Sequence, residues 1–264
     1  MYARRQLLGA LIAGLFYLFA PVALASNSVS QGEDIARKAD QKLRGYGDSE
    51  VELTMELMGP SGQTATRLLR VQSLETDAGE YTLMTFDTPR DVAGTSLLSH
   101  NYRSREDQQW LYLPAIRRVK QIGARDKSGP FMGSEFAYED IVTPFYEKFT
   151  YRLEGEESCP AGQCRVVERI PKDTYSGYTR QRVWIGQSHH LIHKIEYFDR
   201  RNTLLKTYTA SDFIQHNGAH WRPATMLMVN HQNERQTRLT WSDFHFDKGL
   251  GERDFSQNAL MRAR

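Results

Sequence analysis

The chain has 264 residues, of which 25% are charged and 40% hydrophobic. That balance calls for a folded body of one large domain or two small ones and excludes wholesale disorder. Formal charge is only +2, with Arg4 and Arg5 supplying the surplus, so the clustered basic excess of a nucleic-acid-binding surface is missing.

The first 25 residues read as a targeting segment. Arg4 and Arg5 precede an apolar run from Leu7 to Leu24, and Ala23-Leu24-Ala25 forms a small-x-small cleavage site before Ser26. Pro21 and that site argue against a retained membrane anchor. The arginine pair also raises twin-arginine export, but Ala3, Leu7 and Gly9 fit that motif poorly, which favours the general secretory route. The expected mature protein covers residues 26–264, follows cleavage after Ala25, and is soluble and periplasmic.

Ser30-Gln-Gly-Glu33 has the form of a capping box. Ile35, Ala39 and Leu43 recur behind it at helical spacing, and Gly45 and Gly47 end the helix. Strand patterns follow. Val51, Leu53, Met55 and Leu57 alternate with Glu50, Glu52, Thr54 and Glu56, which predicts a half-buried strand. Further strands are expected over 65–74, 80–86, 110–114 and 118–122. A short helix interrupted at Pro144 is expected within 134–146. A meander then runs through 147–154, 163–170, 178–185, 191–197, 204–214, 221–230 and 235–246, with Asn217-Gly218 as a strong two-residue hairpin signal. About a dozen strands in sequential hairpins point to one antiparallel sheet, and a sheet that long curls on itself. No linker or internal repeat is visible, so a single domain is expected.

Cys159 and Cys164 are the only cysteines. In an exported chain they read as a local disulfide closing a hairpin tip. A metal site is disfavoured because no second cysteine pair or histidine cluster completes it. A redox role is disfavoured because the spacing is not Cys-x-x-Cys.

Candidate chemistry is sparse. His189, His190 and His193 lack accompanying carboxylates and read as surface histidines, His189 and His193 sharing a strand face. Met-Gly-Ser134-Glu is not a nucleophile elbow. Glu139 and Asp140 are adjacent and diverge on either a helix or a strand, so a paired-carboxylate mechanism is unsupported. No glycine-rich phosphate loop is present. The chain reads as a non-enzyme with no cofactor and no metal.

Residues 86–140 place aromatics, Met and Arg side by side without a catalytic group. Trp110, Tyr112, Phe131, Met132, Phe136 and Tyr138 are the candidate ligand-side residues, by their position. Individually such aromatics are most often core. Arg117, Arg118 and Lys120 form the densest basic cluster, either a solubilising edge or a contact for anionic headgroups or an acidic partner.

Three segments carry a resemblance: Pro89-x-Asp91-x-x-Gly94-Thr95, Tyr112-Leu-Pro114-x-x-x-Arg118-Val119, and Phe131-Met-Gly-Ser134-x-Phe136-x-Tyr138-x-Asp140. Together they resemble the outer-membrane lipoprotein-sorting proteins of the LolA-like group, in a branch often found beside exporter permeases. The resemblance extends from the N-terminal helix to about Phe255. It implies a mainly β fold, an incomplete, strongly curved antiparallel barrel covered by a few helices, with an apolar cavity for acyl chains. It implies a carrier or chaperone for a lipid or lipoprotein, or else an accessory subunit docking on an envelope exporter. Gly94, Thr95, Pro114 and Gly133 are expected to maintain the fold.

Overall fold

The computed structural model describes residues 21–160 and 162–263. The targeting segment expected over 1–25 lies outside the described residues up to position 20. No helix among the described residues is long and apolar enough to cross a membrane.

Helix α1 spans Pro21–Leu43. Ser30 therefore lies inside the helix instead of capping it, and its hydroxyl donates to the Asn27 carbonyl at 3.0 Å. Such back-bonding is the alternative open to a serine within a helix. Ile35, Ala36 and Ala39 are buried along one stripe. Gly32 is needed for that packing: a Cβ there would stand 2.8 Å from the backbone nitrogen of Leu153.

Thirteen strands follow among the described residues: β1 Asp48–Met58, β2 Thr64–Thr76, β3 Gly79–Thr88, β4 Ser96–Tyr102, β5 Gln108–Leu113, β6 Arg118–Ile122, β7 Phe149–Cys159, β8 Gly162–Pro171, β9 Tyr178–Gly186, β10 Ile192–Asp199, β11 Leu204–His216, β12 His220–Asn230 and β13 Gln236–Phe246. They form one antiparallel sheet in the order β6-β5-β4-β3-β2-β1-β13-β12-β11-β10-β9-β8-β7. The expected single curved sheet is thus present, and it does not close into a barrel: β6 and β7 remain its edges. Pairing of β1 with β13 joins the beginning of the meander to its end.

Alternation sets the two faces. In β1, Val51, Leu53 and Met55 are buried on the concave side. On the other side, Glu50 and Glu56 bond Gln72 and Arg238. β3 differs, because eight consecutive residues are buried on both faces. The reason lies at the C-terminus, where no element was expected beyond 246. A 3-10 turn at Glu252–Phe255 and helix α2, Gln257–Arg262, lie on the convex face. Phe255 and Leu260 pack there with Tyr81, Leu83, Leu98 and Tyr102, and the His100 Nε2 lies 2.7 Å from the Phe255 carbonyl. Burying one such phenylalanine contributes about 1.5–3 kcal/mol.

The short helix expected within 134–146 is not formed. A 3-10 turn at Phe131–Gly133 is followed by an isolated bridge between Pro130 and Ala137, and a second turn at Tyr146–Lys148. The bridge to Pro130 and the donation of the Ala137 N–H to the Asp140 carboxylate commit this backbone to partners other than a helical ladder. The expected disulfide is formed: Cys159 and Cys164 join at the β7–β8 tip with their Cα atoms 5.8 Å apart.

Candidate functional site

The concave face encloses a cavity of about 960 Å³, at the upper end of the roughly 300–1,000 Å³ of small-molecule sites. Val51, Leu53 and Met55 supply one wall. Val167, Val183, Ile195 and Tyr208 supply the opposite one. Met226, Leu239, Trp241, Phe244 and Phe246 line the part between. Ala36, Ala39 and Leu43 of α1 close one side, and the 136–149 segment closes another.

That segment is held by a buried ionic latch. Asp140 and Lys206 pair at 2.6 Å with side chains only 4% and 5% exposed. A pair so deep repays its desolvation only when its other hydrogen-bonding positions are filled. Here they are filled. Asp140 also accepts from the Tyr178 hydroxyl at 2.9 Å and the Ala137 N–H at 2.7 Å, and Lys206 donates to the Glu135 carbonyl at 2.8 Å. Neighbouring Glu139 turns elsewhere, accepting from the Ser176 hydroxyl at 2.7 Å and the Gly177 N–H at 2.8 Å. Burial, reinforced by the Asp140 charge, pushes the Glu139 carboxyl up to about 7. The two carboxylates diverge onto separate partners, as their adjacency implies.

A second charged cluster sits where α1 meets β3. Arg44 pairs with Glu80 at 2.5 Å and with Asp40 at 3.2 Å, and its guanidinium lies 4.0 Å from the Phe145 ring centre. Burial raises both carboxyls above their ordinary range. Arg222 donates to the carbonyls of Trp221 and Leu43, which satisfies the C-terminal end of α1.

Of the six candidate ligand-side residues, Phe136 and Tyr138 line the cavity. Phe131 is fully buried in the main core, with its ring centre 5.8 Å from that of Phe86 and 5.5 Å from that of Tyr138. Met132 packs on the core's edge, and its carbonyl accepts from Arg67. Trp110 and Tyr112 lie on the convex face beside Phe255 and Leu260, because period-two alternation directs Leu111 inward and them outward. Arg117, Arg118 and Lys120 are exposed at the β5–β6 turn and along edge strand β6. Gly94 has φ 77°, a left-handed conformation that favours glycine. His189 and His190 lie in the β9–β10 turn and not on a strand, His189 beside Trp221 and His193 beside Phe213.

Several residues escape a sequence reading: Tyr151, Arg169, Gln181 and Tyr197, which line the cavity, and Lys206, which stands beside Tyr197 in register. They are far apart in the chain and meet only through register. Tyr151 pairs with Arg169, Arg169 with Gln181, Gln181 with Tyr197, and Tyr197 with Lys206. The result is a polar belt across five adjacent strands.

A family model described as an uncharacterized protein matches residues 78–262. A domain from Vibrio parahaemolyticus, named for outer-membrane lipoprotein sorting, is 43% identical with a TM-score of 0.86, covering 89% of this chain and 100% of its own. A DUF1329 family protein from Desulfovibrio piger is 31% identical with a TM-score of 0.83, covering 88% and 99%. A LolA superfamily protein from Nitrosomonas europaea shares the fold at 19% identity and a TM-score of 0.71, covering 86% and 98%. No curated protein matches the chain.

Proposed function

The chain belongs to the family of the outer-membrane lipoprotein-sorting domain and the DUF1329 protein that it matches, and it has the LolA fold; from that premise we propose that it is a periplasmic carrier for a lipid or for the acyl chains of a lipoprotein. The observation that carries this reading is the cavity of about 960 Å³ with aliphatic and aromatic walls. Each methylene moved from water into such a space contributes about 0.8 kcal/mol. Ten buried methylenes would contribute roughly 8 kcal/mol, ahead of the cost of ordering the chain. The disulfide fits an oxidising, extracytoplasmic location. Cargo uptake of this kind needs no nucleophile, cofactor or metal.

Under the same reading Arg117, Arg118 and Lys120 serve as the contact for an anionic membrane or an envelope partner. No carboxylate lies within ion-pair distance of them among the described residues, and Ile116 beside them is 60% exposed. An exporter-docking subunit with a core closed by its own side chains is disfavoured by the volume of the cavity.

Gentle purification of the exported protein, organic extraction and native mass spectrometry test the proposal. The expected result is a co-purifying acyl-bearing lipid, or uptake of one fluorescent acyl probe per chain. A lipid-free protein that takes up no probe would contradict it.

A further inference from the structure

Arg169 stands apart from the other buried cations in and around the cavity wall, Arg44, Arg222 and Lys206. Its residue is 9% exposed. Its Nε donates to the Gln181 Oε1 at 2.7 Å, and its guanidinium lies 4.5 Å from the Phe149 ring centre. Its two terminal nitrogens have no hydrogen-bond acceptor and no carboxylate partner among the described residues. Arg44 faces Asp40 and Glu80, Lys206 faces Asp140, and Arg222 is occupied by two carbonyls. An arginine cannot shed its proton to escape burial, and Arg169 lines the cavity, so its open fork stays charged and faces whatever enters there.

The surroundings orient what that would be. Gln181 and Phe149 hold one edge and one face of the guanidinium, leaving the paired terminal N–H groups, the geometry that grips an oxyanion through two parallel bonds. One step along the same concave face the polar belt gives way to an apolar row. Leu153 pairs with Val167, Val167 with Val183, Val183 with Ile195, and Ile195 with Tyr208. A charged head at Arg169 therefore continues directly into a hydrocarbon wall.

We propose that Arg169 is the head-group anchor of the cavity, and that the cargo is an anionic amphiphile whose carboxylate or phosphate pairs with this guanidinium while its chain lies along Val167, Val183 and Ile195. This rests on the carrier reading and names the chemical class of its cargo.

Isothermal titration with palmitate, hexadecyl phosphate and hexadecanol, each below its aggregation threshold, tests it. The wild-type protein is expected to bind at least one of the two anions tenfold or more tightly than the alcohol, and the preferred anion identifies the head group. Arg169→Gln is expected to reduce that margin to less than twofold, by weakening the anion more than the alcohol. Arg169→Lys, which keeps the charge but not the fork, should fall between. Equal wild-type affinity for all three ligands would overturn the anchor and leave the carrier reading standing, as would a margin that survives Arg169→Gln. Failure to bind any of the three would overturn both. The wild-type comparison decides the matter even if the glutamine variant does not fold.

Discussion

The two halves of the sheet use aromatic side chains for opposite purposes. On the convex face of β3, β4 and β5, Tyr81, Tyr102, Trp110 and Tyr112 are packed beneath the C-terminal turn and α2. Across β8–β13 the concave face opens on a cavity, and Tyr197, Tyr208, Trp241 and Phe244 line it. The same residue types are structural in one half and available to a ligand in the other. What separates them is whether a later segment of chain covers the face, which strand alternation alone does not reveal.

Substitutions can break this comparison at several depths. The largest effect should come from Asp140→Asn, which leaves Lys206 buried without its counter-charge. A loss of about 3–5 kcal/mol is expected in denaturant unfolding, together with loosening of the 136–149 segment over the cavity, visible as faster amide exchange. Next, Phe255→Ala should cost about 3–4 kcal/mol by leaving a void on the convex face. Acyl-probe uptake should persist wherever that variant remains folded, because Phe255 packs with Tyr81, Leu83, Leu98 and Tyr102 on the convex face. Loss of uptake in the folded variant would mean that the two faces are coupled.

A smaller, pH-dependent effect belongs to Glu139. Its carboxyl titrates at about 7 in the folded protein against an ordinary 4.5, so between those values the folded state binds more protons than the unfolded chain. Its contribution to stability is present at the acid end and is lost as pH rises through that window, by up to about 3 kcal/mol. Glu139→Gln should flatten this slope and stabilise the protein above pH 7 relative to wild type, measured as melting temperature against pH. An unchanged slope would remove Glu139 as its source. The smallest effect should come from Cys159→Ser. So short a loop stabilises by at most about 2 kcal/mol, and the body should remain folded with its melting temperature lowered by only a few degrees.

Much of the fold was legible because exposed polar residues alternate with buried apolar ones, as in Glu50 to Leu57. Strand β4 was hidden for the converse reason. Its polar residues are buried and bonded inside the protein, Ser96 with Thr85, Ser99 with Gln109, and the Asn101 amide with the Thr143 carbonyl, so it shows no amphipathic pattern. The Phe131 to Asp140 motif was visible as a unit, but its role as a latch depends on Lys206 and Tyr178, which lie more than thirty residues away. Trp110 and Tyr112 read as ligand-side candidates, yet they pack with Phe255 and Leu260 on the convex face, and nothing in their own neighbourhood announces a helix docking from residue 257 onward. Arg169 gave no local signal, since its isolation is a property of five strands in register.

The central claim is that the concave face of β8–β13, and not the aromatic convex face, is where an apolar chain is held. Uptake of a fluorescent sixteen-carbon acyl probe by Val183→Trp and Tyr112→Trp tests this most directly. Val183 lines the cavity and Tyr112 lies on the opposite face. Obstructing the apolar row with the indole of Val183→Trp should weaken uptake strongly in a protein that still folds, whereas Tyr112→Trp should bind like wild type. Undiminished uptake by folded Val183→Trp, or its loss in folded Tyr112→Trp alone, would contradict that claim.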